Sequence, residues 1–268
     1  ILPMLPHKNL IPDINLTPYS IWLATVVVSG ISYLSYLLKR YVFHESGTLV
    51  SGIIGGLYSS TATISVLARK SRKASEQEAT DYVAAMLLAV SMMFLRFMIL
   101  ILIFSREIFL SIYPYLLTMA VVAAIVAWFI HSRQKRPEDQ SAETEEDDSS
   151  NPLEFKVALI FAVLFVIFTF LTHYTLVYAG TGGLNLLSFV SGFSDITPFI
   201  LNLLQNTGSV AALIITACSM QAIISNIMVN MFYALFFAGK GSKLRPWILG
   251  GFGVVIACNL VLLLFFYI

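Results

Sequence analysis

Two charged side chains stand in the middle of long apolar stretches of this sequence. Arg96 lies within the apolar run 82–104, and Asp195, the last acidic residue of the chain, lies within segment 183–205. Charged groups are unfavourable inside a bilayer, so those that occur there usually face the protein interior, pair with one another and mark ion or proton pathways. We predict that Arg96 and Asp195 face the interior and pair. The pair would serve a substrate- or proton-linked site, or would be a salt bridge that only fixes helix packing.

Hydroxyl and amide side chains cluster near these two positions. Residues 59–65 contain five hydroxyls, and amides follow Asp195 and recur in the apolar run 209–238. Such groups either join membrane helices through hydrogen bonds of roughly 0.6 kcal/mol each or line a polar pathway. Their concentration beside Asp195 favours a pathway slightly. The predicted pathway residues are Ser59, Ser60, Thr61, Thr63, Arg96, Asp195, Thr197, Asn202, Gln221 and Asn226.

The composition indicates the elements that must position these residues. Hydrophobic residues make up 58% of the 268 residues and charged residues only 12%, whereas soluble domains have about a quarter charged residues. We therefore predict an all-α, polytopic membrane protein. Two segments of spanning length, 47–68 and 183–205, are interrupted by Gly, Ser, Thr, Asp or Pro. Uninterrupted apolar runs long enough to span a bilayer occur at 19–43, 82–104, 109–131, 155–178, 209–238 and 246–267.

A charged stretch divides the chain into two similar halves. Residues 132–154 lack apolar runs and change from basic to strongly acidic, which predicts a disordered linker or, alternatively, a regulatory cation-binding segment. The linker separates a first membrane repeat, 1–131, from a second, 155–268. Three matches in the same order predict a duplication. They pair 56–61 with 192–197, 83–86 with 210–213 and 114–116 with 246–248, at offsets of 136, 127 and 132 residues.

The distribution of Lys and Arg distinguishes two topologies, because these residues accumulate on the cytoplasmic side of short loops. If both interrupted segments span, the eight spans form parallel repeats and divide the fifteen basic residues outside the membrane nine against six. If both are re-entrant, six spans form inverted repeats and the division is thirteen against two. We favour the second topology, with an external N-terminus. Each interrupted segment would then start a half-helix, capped by Ser59 or Ser60 in the first and by Thr197, before Pro198, in the second.

Catalytic and metal-binding motifs are not evident. The sequence has no HExxH, GxSxG or phosphate-loop pattern, and its two cysteines, Cys218 and Cys258, lie in apolar runs without ligand spacing. Only one carboxylate lies within a membrane segment, whereas an intramembrane aspartyl protease would need two. We expect no enzymatic activity, no cofactor and no nucleic-acid partner. The sequence leaves open whether a metal ion binds and whether the chain forms a homo-oligomer.

Several motifs resemble a known family. "GGLYSSTATISVLAR", "NPLEFKVALIFA", "SGFSDITPFILNLL" and "SNIMVN" are similar to the prokaryotic membrane domain of unknown function that follows the MgtC/SapB domain. The opening "ILPMLP" is similar to the junction between the two domains, so the resemblance implies a preceding MgtC/SapB domain as a partner. The family name suggests magnesium transport, although MgtC proteins are also regarded as regulators of other membrane complexes.

These observations predict a transporter or channel in the cell (inner) membrane. Its site for a small ion or polar solute would lie at the bilayer midplane, where the two broken segments meet, as in transporters built from inverted repeats. Half-helix N-termini favour an anion and Asp195 favours a cation or a proton, so the sign of the substrate stays open. The alternative is a non-transporting, MgtC-type membrane regulator that acts through protein partners.

Overall fold

The computed structural model describes residues 2–11, 14–42, 47–72, 74, 76–133, 155–205, 210–239 and 242–267. Eight α-helices occur in these residues. A short 3₁₀-helix precedes α1, and a π-helical turn continues it. The helices are α1 (Pro18–Leu37), α2 (Thr48–Lys70), α3 (Glu76–Phe104), α4 (Arg106–Ser132), α5 (Phe155–Ser191), α6 (Ile196–Gln205), α7 (Ala212–Ala238) and α8 (Arg245–Tyr267).

Seven of these helices are long and apolar enough to cross a membrane, and α6, with ten residues, is too short. The prediction of an all-α, multi-pass membrane protein is therefore confirmed. The helices α3 and α7 contribute the most buried spans, whereas α1, α2, α5 and α8 expose more of their apolar surface. This pattern places α3 and α7 at the centre of the bundle, one from each predicted repeat.

Helix α2 folds back on itself at Ser59, although its length and hydropathy would suit a span. Gly52 packs against Ala85 and Gly56 against Ala89, so residues 48–58 run parallel to α3. Only residues 71–75 then connect α2 to the start of α3, and five extended residues reach less than about 20 Å. The second half of α2 must therefore run back toward the start of α3. Ser59 accordingly has an extended backbone, with φ −158° and ψ 108°.

A second contact supports this first hairpin, residues 48–70. A Cβ atom added to Gly55 would lie 2.5 Å from Oγ1 of Thr63, whereas residues eight apart in a straight helix are separated by about 12 Å. Only a glycine allows the two half-helices to approach this closely.

A second hairpin, residues 181–205, is built from the end of α5 and from α6. Asn185 lies beside Cys218, and Gly192 packs against Ser225, so residues 181–191 run parallel to α7. Since only residues 206–211 connect α6 to the start of α7, α6 must turn back toward that end. A kink at Gly180 separates this hairpin from the preceding, longer part of α5. The φ of Gly180 is 58°, a conformation that favours glycine.

The two halves of the bundle run in opposite directions. Arg72, just before α3, donates from Nη2 to the carbonyl of Phe236 at the end of α7, at 3.1 Å, so α3 and α7 are antiparallel. Helices α4 and α8 are antiparallel as well, because Gly251 approaches Ile130 and the Tyr115 hydroxyl donates to Asn259. Parallel repeats would require each of these helix pairs to be parallel. These helix directions agree with the inverted repeats of the six-span prediction and not with the parallel repeats of the eight-span alternative.

The hairpins also fix the register between the repeats. Gly56 and Gly192 differ by 136 positions, and their packing partners, Ala89 and Ser225, differ by the same number. The match between 56–61 and 192–197 is therefore in register. The matches of 83–86 with 210–213 and of 114–116 with 246–248 have offsets of 127 and 132, so they differ from this register by nine and four residues. The predicted linker, 132–154, lies outside the described residues apart from Ser132 and Arg133.

Candidate functional site

Each hairpin turns at a residue that caps the following half-helix. Oγ of Ser59 accepts a hydrogen bond from the N–H of Ala62 at 3.3 Å. In the second hairpin, Oδ1 of Asp195 accepts from the N–H of Thr197 at 3.0 Å. Such caps satisfy backbone donors that have no partner within the helix and contribute about 1 kcal/mol each. Ser59 and Asp195 are 136 residues apart, so they occupy equivalent positions in the two repeats.

The prediction that Thr197 caps the second half-helix is wrong. Helix α6 begins at Ile196, so Thr197 is its second residue and Pro198 its third. The carboxylate of Asp195 is the better acceptor for the free N–H groups of this first turn, because it is charged and faces the positive end of the helix. For the first hairpin, the structure selects Ser59 from the two predicted caps.

Arg96 lies at the tip of the first hairpin. Its side chain is only 9% exposed, and Nη1 donates to the carbonyl of Tyr58 at 2.6 Å. Tyr58 is the last residue before the turn, so the guanidinium sits at the negative end of the half-helix 48–58. Nε of Arg96 is buried and has no hydrogen-bond partner within the described part of the chain. An unmatched buried donor of this kind costs about 1–3 kcal/mol or more.

The predicted ion pair between Arg96 and Asp195 does not form. Arg96 faces the interior as predicted, but Asp195 is exposed and its carboxylate turns to the N–H of Thr197. The carboxylate is still close enough to attract the guanidinium through space. Arg96 is therefore buried and Asp195 exposed, and each side chain bonds to backbone of its own hairpin region rather than to the other.

Side chains of α7 donate hydrogen bonds to backbone carbonyls of the second hairpin, as Arg96 does in the first. Oγ of Ser225 donates to the carbonyl of Phe189 at 2.7 Å, and Nδ2 of Asn226 donates to the carbonyl of Gly192 at 3.2 Å. Asn230 in turn donates to Oδ1 of Asn226 at 3.1 Å. The carbonyl of Gly192 lies just past the end of α5, whereas the carbonyl of Phe189 also accepts from the N–H of Gly192 at 3.3 Å. These bonds therefore join α7 to the backbone at the tip of the second hairpin. Asn226 is thus placed at the hairpin tip, in a bonding network that also explains its burial.

The other predicted pathway residues do not converge on one point. Asn202 is fully buried and donates to Oγ1 of Thr169 at 2.7 Å, which joins α6 to α5. Thr63 covers Gly55 inside the first hairpin, and the carbonyl of Thr61 accepts from Ser65 at 2.8 Å. Ser60 and Thr197 are buried next to the caps, and Gln221 is half-buried on α7 and has a polar partner.

Sequence reasoning missed two partners that hold this region together. Thr169 lies in an apolar run, and no pattern distinguishes it from a threonine that bonds only within its own helix. The carbonyl of Tyr58 has no sequence signal at all, because every residue carries one. No group of three or more His, Cys, Asp or Glu side chains that could hold a metal ion occurs in the described ranges.

The known proteins that this chain resembles have no assigned function. The chain is 25% identical over 227 residues to an uncharacterised protein of Aquifex aeolicus (strain VF5), covering 82% of this chain and 96% of that protein. No solved structure matches the chain. A family described as a domain of unknown function, DUF4010, matches residues 26–238. That range extends from α1 to the end of α7 and contains both hairpins, and on this match the chain belongs to the DUF4010 family.

Proposed function

We propose that this protein is a transporter or channel for a small ion or polar solute, which binds between the tips of the two hairpins. The observation that carries the proposal is the buried Arg96 guanidinium, whose Nε has no partner in the described residues. A buried, charged donor that the protein itself leaves unmatched is the kind of group that a ligand satisfies.

The arrangement of the hairpins supports this location. Transporters with inverted repeats place their sites where discontinuous helices meet, because the ends of half-helices present unpaired backbone groups and partial charges. Here the N-termini of the half-helix 60–70 and of α6 follow the caps Ser59 and Asp195. Both caps belong to equivalent positions of repeats that run in opposite directions, a symmetry found in many secondary transporters.

The charges at the tips favour an anion. Arg96 contributes a full positive charge, and each half-helix N-terminus contributes about half a charge. Against these stands the single carboxylate of Asp195, which already accepts a hydrogen bond from Thr197. The negative ends of the half-helices 48–58 and 181–191 offset the two positive N-termini. The preference for a small anion therefore depends on Arg96, which is buried, whereas Asp195 is exposed.

The cellular setting is part of the same proposal. We place the chain in the cell (inner) membrane, with the face that carries Arg72, Arg133 and Lys243 toward the cytoplasm, because basic loops stay on that side. The resemblance to the domain that follows MgtC/SapB domains supports joint action with such a domain, and the chain acts without enzymatic chemistry. The alternative function is that of a non-transporting regulator, and it predicts a protein that moves no solute.

Reconstitution into liposomes tests the proposal. The purified protein is assayed for flux of chloride, sulfate, phosphate, potassium and magnesium, with Arg96→Gln as the test variant and Arg106→Gln as the control. Arg106 is exposed at the start of α4, away from the tips. Loss of a charged hydrogen bond to the solute predicts a decrease in anion flux of about tenfold or more in the first variant only.

Two results would contradict the proposal in different ways. Absence of flux for every ion would refute transport and leave the regulator. Cation flux without anion flux would refute the assignment of Arg96 as the binding group. Arg96→Lys separates charge from geometry, since a lysine keeps the positive charge but lacks the planar fork that reaches both Tyr58 and a ligand.

A further inference from the structure

A cavity of about 770 Å³ opens on the face of the bundle where α2 and α7 end and where α3 and α8 begin. We call this the basic face, since Arg72, Lys243 and Arg245 all lie there. The described lining of the cavity comes from the end of α2 and the start of α3 in one predicted repeat, and from the end of α7 and the start of α8 in the other, and includes no residue of the hairpin tips. Its polar and aromatic lining consists of Ser71, Arg72, Thr80, Ser242, Lys243 and Trp247.

The lining is positively charged. Among the described lining residues are two cations, Arg72 and Lys243, and no acidic residue. Arg72 is held in place across the repeats, because Nη2 donates to the carbonyl of Phe236 at 3.1 Å. This bond uses one of the five N–H groups of a guanidinium, a fork that fits phosphate oxygens in pairs. Ser71, Thr80 and Ser242 add hydroxyl groups to the walls.

The depth of the cavity matches the head groups of a bilayer. Ala238 ends one apolar helix and Arg245 begins the next, so the cavity lies at the level where two spans leave the membrane. Trp247, half-buried in the first turn of α8, is the type of residue that concentrates at this interface. Basic pockets between transmembrane helices on the cytoplasmic side bind anionic head groups.

We propose that this cavity binds the phosphate head group of an anionic membrane phospholipid, held by Arg72 and Lys243. A head group in this position contacts described lining residues of both repeats together. Binding therefore joins the two inverted repeats at the basic face, where Arg72 already bridges them. This site is independent of transport at the hairpin tips.

Lipid binding to the purified full chain tests the proposal without any transport assay. Native mass spectrometry in a neutral detergent measures the apparent dissociation constant for phosphatidylglycerol and for phosphatidylcholine. We expect phosphatidylglycerol to bind more tightly, and Arg72→Gln and Lys243→Gln each to weaken it about fivefold, with about 25-fold for the double variant. Arg133→Gln is the matched control, because this exposed cation ends α4 on the same face but does not line the cavity.

Each remaining outcome supports or overturns the proposed lipid site. Equal weakening by Arg133→Gln would indicate general attraction to the basic face and overturn the site. If inorganic phosphate alone binds as well as phosphatidylglycerol at the same concentrations, the lipid is overturned as the source of the phosphate. If Arg72→Gln fails to fold because it loses the bond to Phe236, Lys243→Gln still decides, since it removes a cation of the lining without removing that bond and must weaken binding.

Discussion

The fold-back of α2 at Ser59 makes a specific prediction about Gly55 and Thr63. A Cβ atom at position 55 would lie 2.5 Å from Oγ1 and 2.8 Å from Cγ2 of Thr63. Both distances are well inside van der Waals contact, so Gly55→Ala overpacks the hairpin. Overpacking of this kind costs about 1–3 kcal/mol, while the better helix propensity of alanine returns about 1 kcal/mol. The expected net loss of stability is therefore about 0–2 kcal/mol.

A second substitution removes the clash. In Thr63→Ala the two offending atoms are absent and only Cβ remains, at 3.2 Å from the Cβ of residue 55. The double variant should then recover most of the overpacking loss. We expect a coupling energy between the two substitutions of about 1–2 kcal/mol, which lies in the range observed for residues in contact.

Thermal unfolding in detergent measures this double-mutant cycle. A change of 1 kcal/mol corresponds to a shift in Tm of about 2–4 °C for a chain of this size. Gly30→Ala is the control for helix propensity, because a Cβ at this exposed position of α1 meets nothing within 4 Å. It should leave Tm unchanged or raise it slightly.

The reasoning fails if the effects of Gly55→Ala and Thr63→Ala simply add, within about 0.5 kcal/mol. In a straight α2 these residues would be about 12 Å apart and could not interact. Additivity would therefore mean that α2 crosses the membrane, and the inverted arrangement would have to be abandoned.

Three further predictions concern the second hairpin and the orientation. Asp195→Asn should keep the cap of α6 and its Tm, whereas Asp195→Ala should lose about 1 kcal/mol; equal losses in thermal unfolding would argue against the capping role. Gly192→Ala should destabilise the protein by about 1–3 kcal/mol, because the added Cβ would lie 2.3 Å from a side chain of α7, and Gly250→Ala, with nothing within 4 Å, should not. In a chain without its native cysteines, Arg106→Cys should react with a membrane-impermeant maleimide from outside the cell and Arg133→Cys only after lysis; the reverse pattern would invert the orientation.

Charge, rather than hydropathy, predicted the hairpins. Segment 47–68 is apolar enough to be mistaken for a span, and an 18-residue window of the observed helix Thr48–Lys70 has a mean hydropathy of 1.3. The basic residues after it, however, share a side with most other basic residues only if the segment turns back. This bias is readable in the sequence because a lysine or arginine resists transfer across the membrane wherever it occurs, regardless of how the helices later pack.

The sequence did not predict the hydrogen-bond partners of Arg96 and Asp195. Arg96 and Asp195 were correctly recognised as unusual, but each bonds to backbone rather than to the other, at Tyr58 and Thr197. Both choices follow from the breaks in the helices, which leave carbonyls and N–H groups without internal partners. The sequence predicted the breaks in the helices. It did not predict that each charged side chain would bond to backbone groups at these breaks rather than to the other charged side chain.

The sequence by itself determined the all-α membrane class and predicted two repeats and the sides on which their loops lie, because hydropathy, internal similarity and charge are properties of the chain. Only the tertiary structure decided which groups meet. The close approach of Gly56 to Ala89 and of Gly192 to Ser225, the burial of Arg96 and the exposure of Asp195 depend on how the helices pack. Packing joins residues that are far apart in sequence, and no local pattern records those contacts.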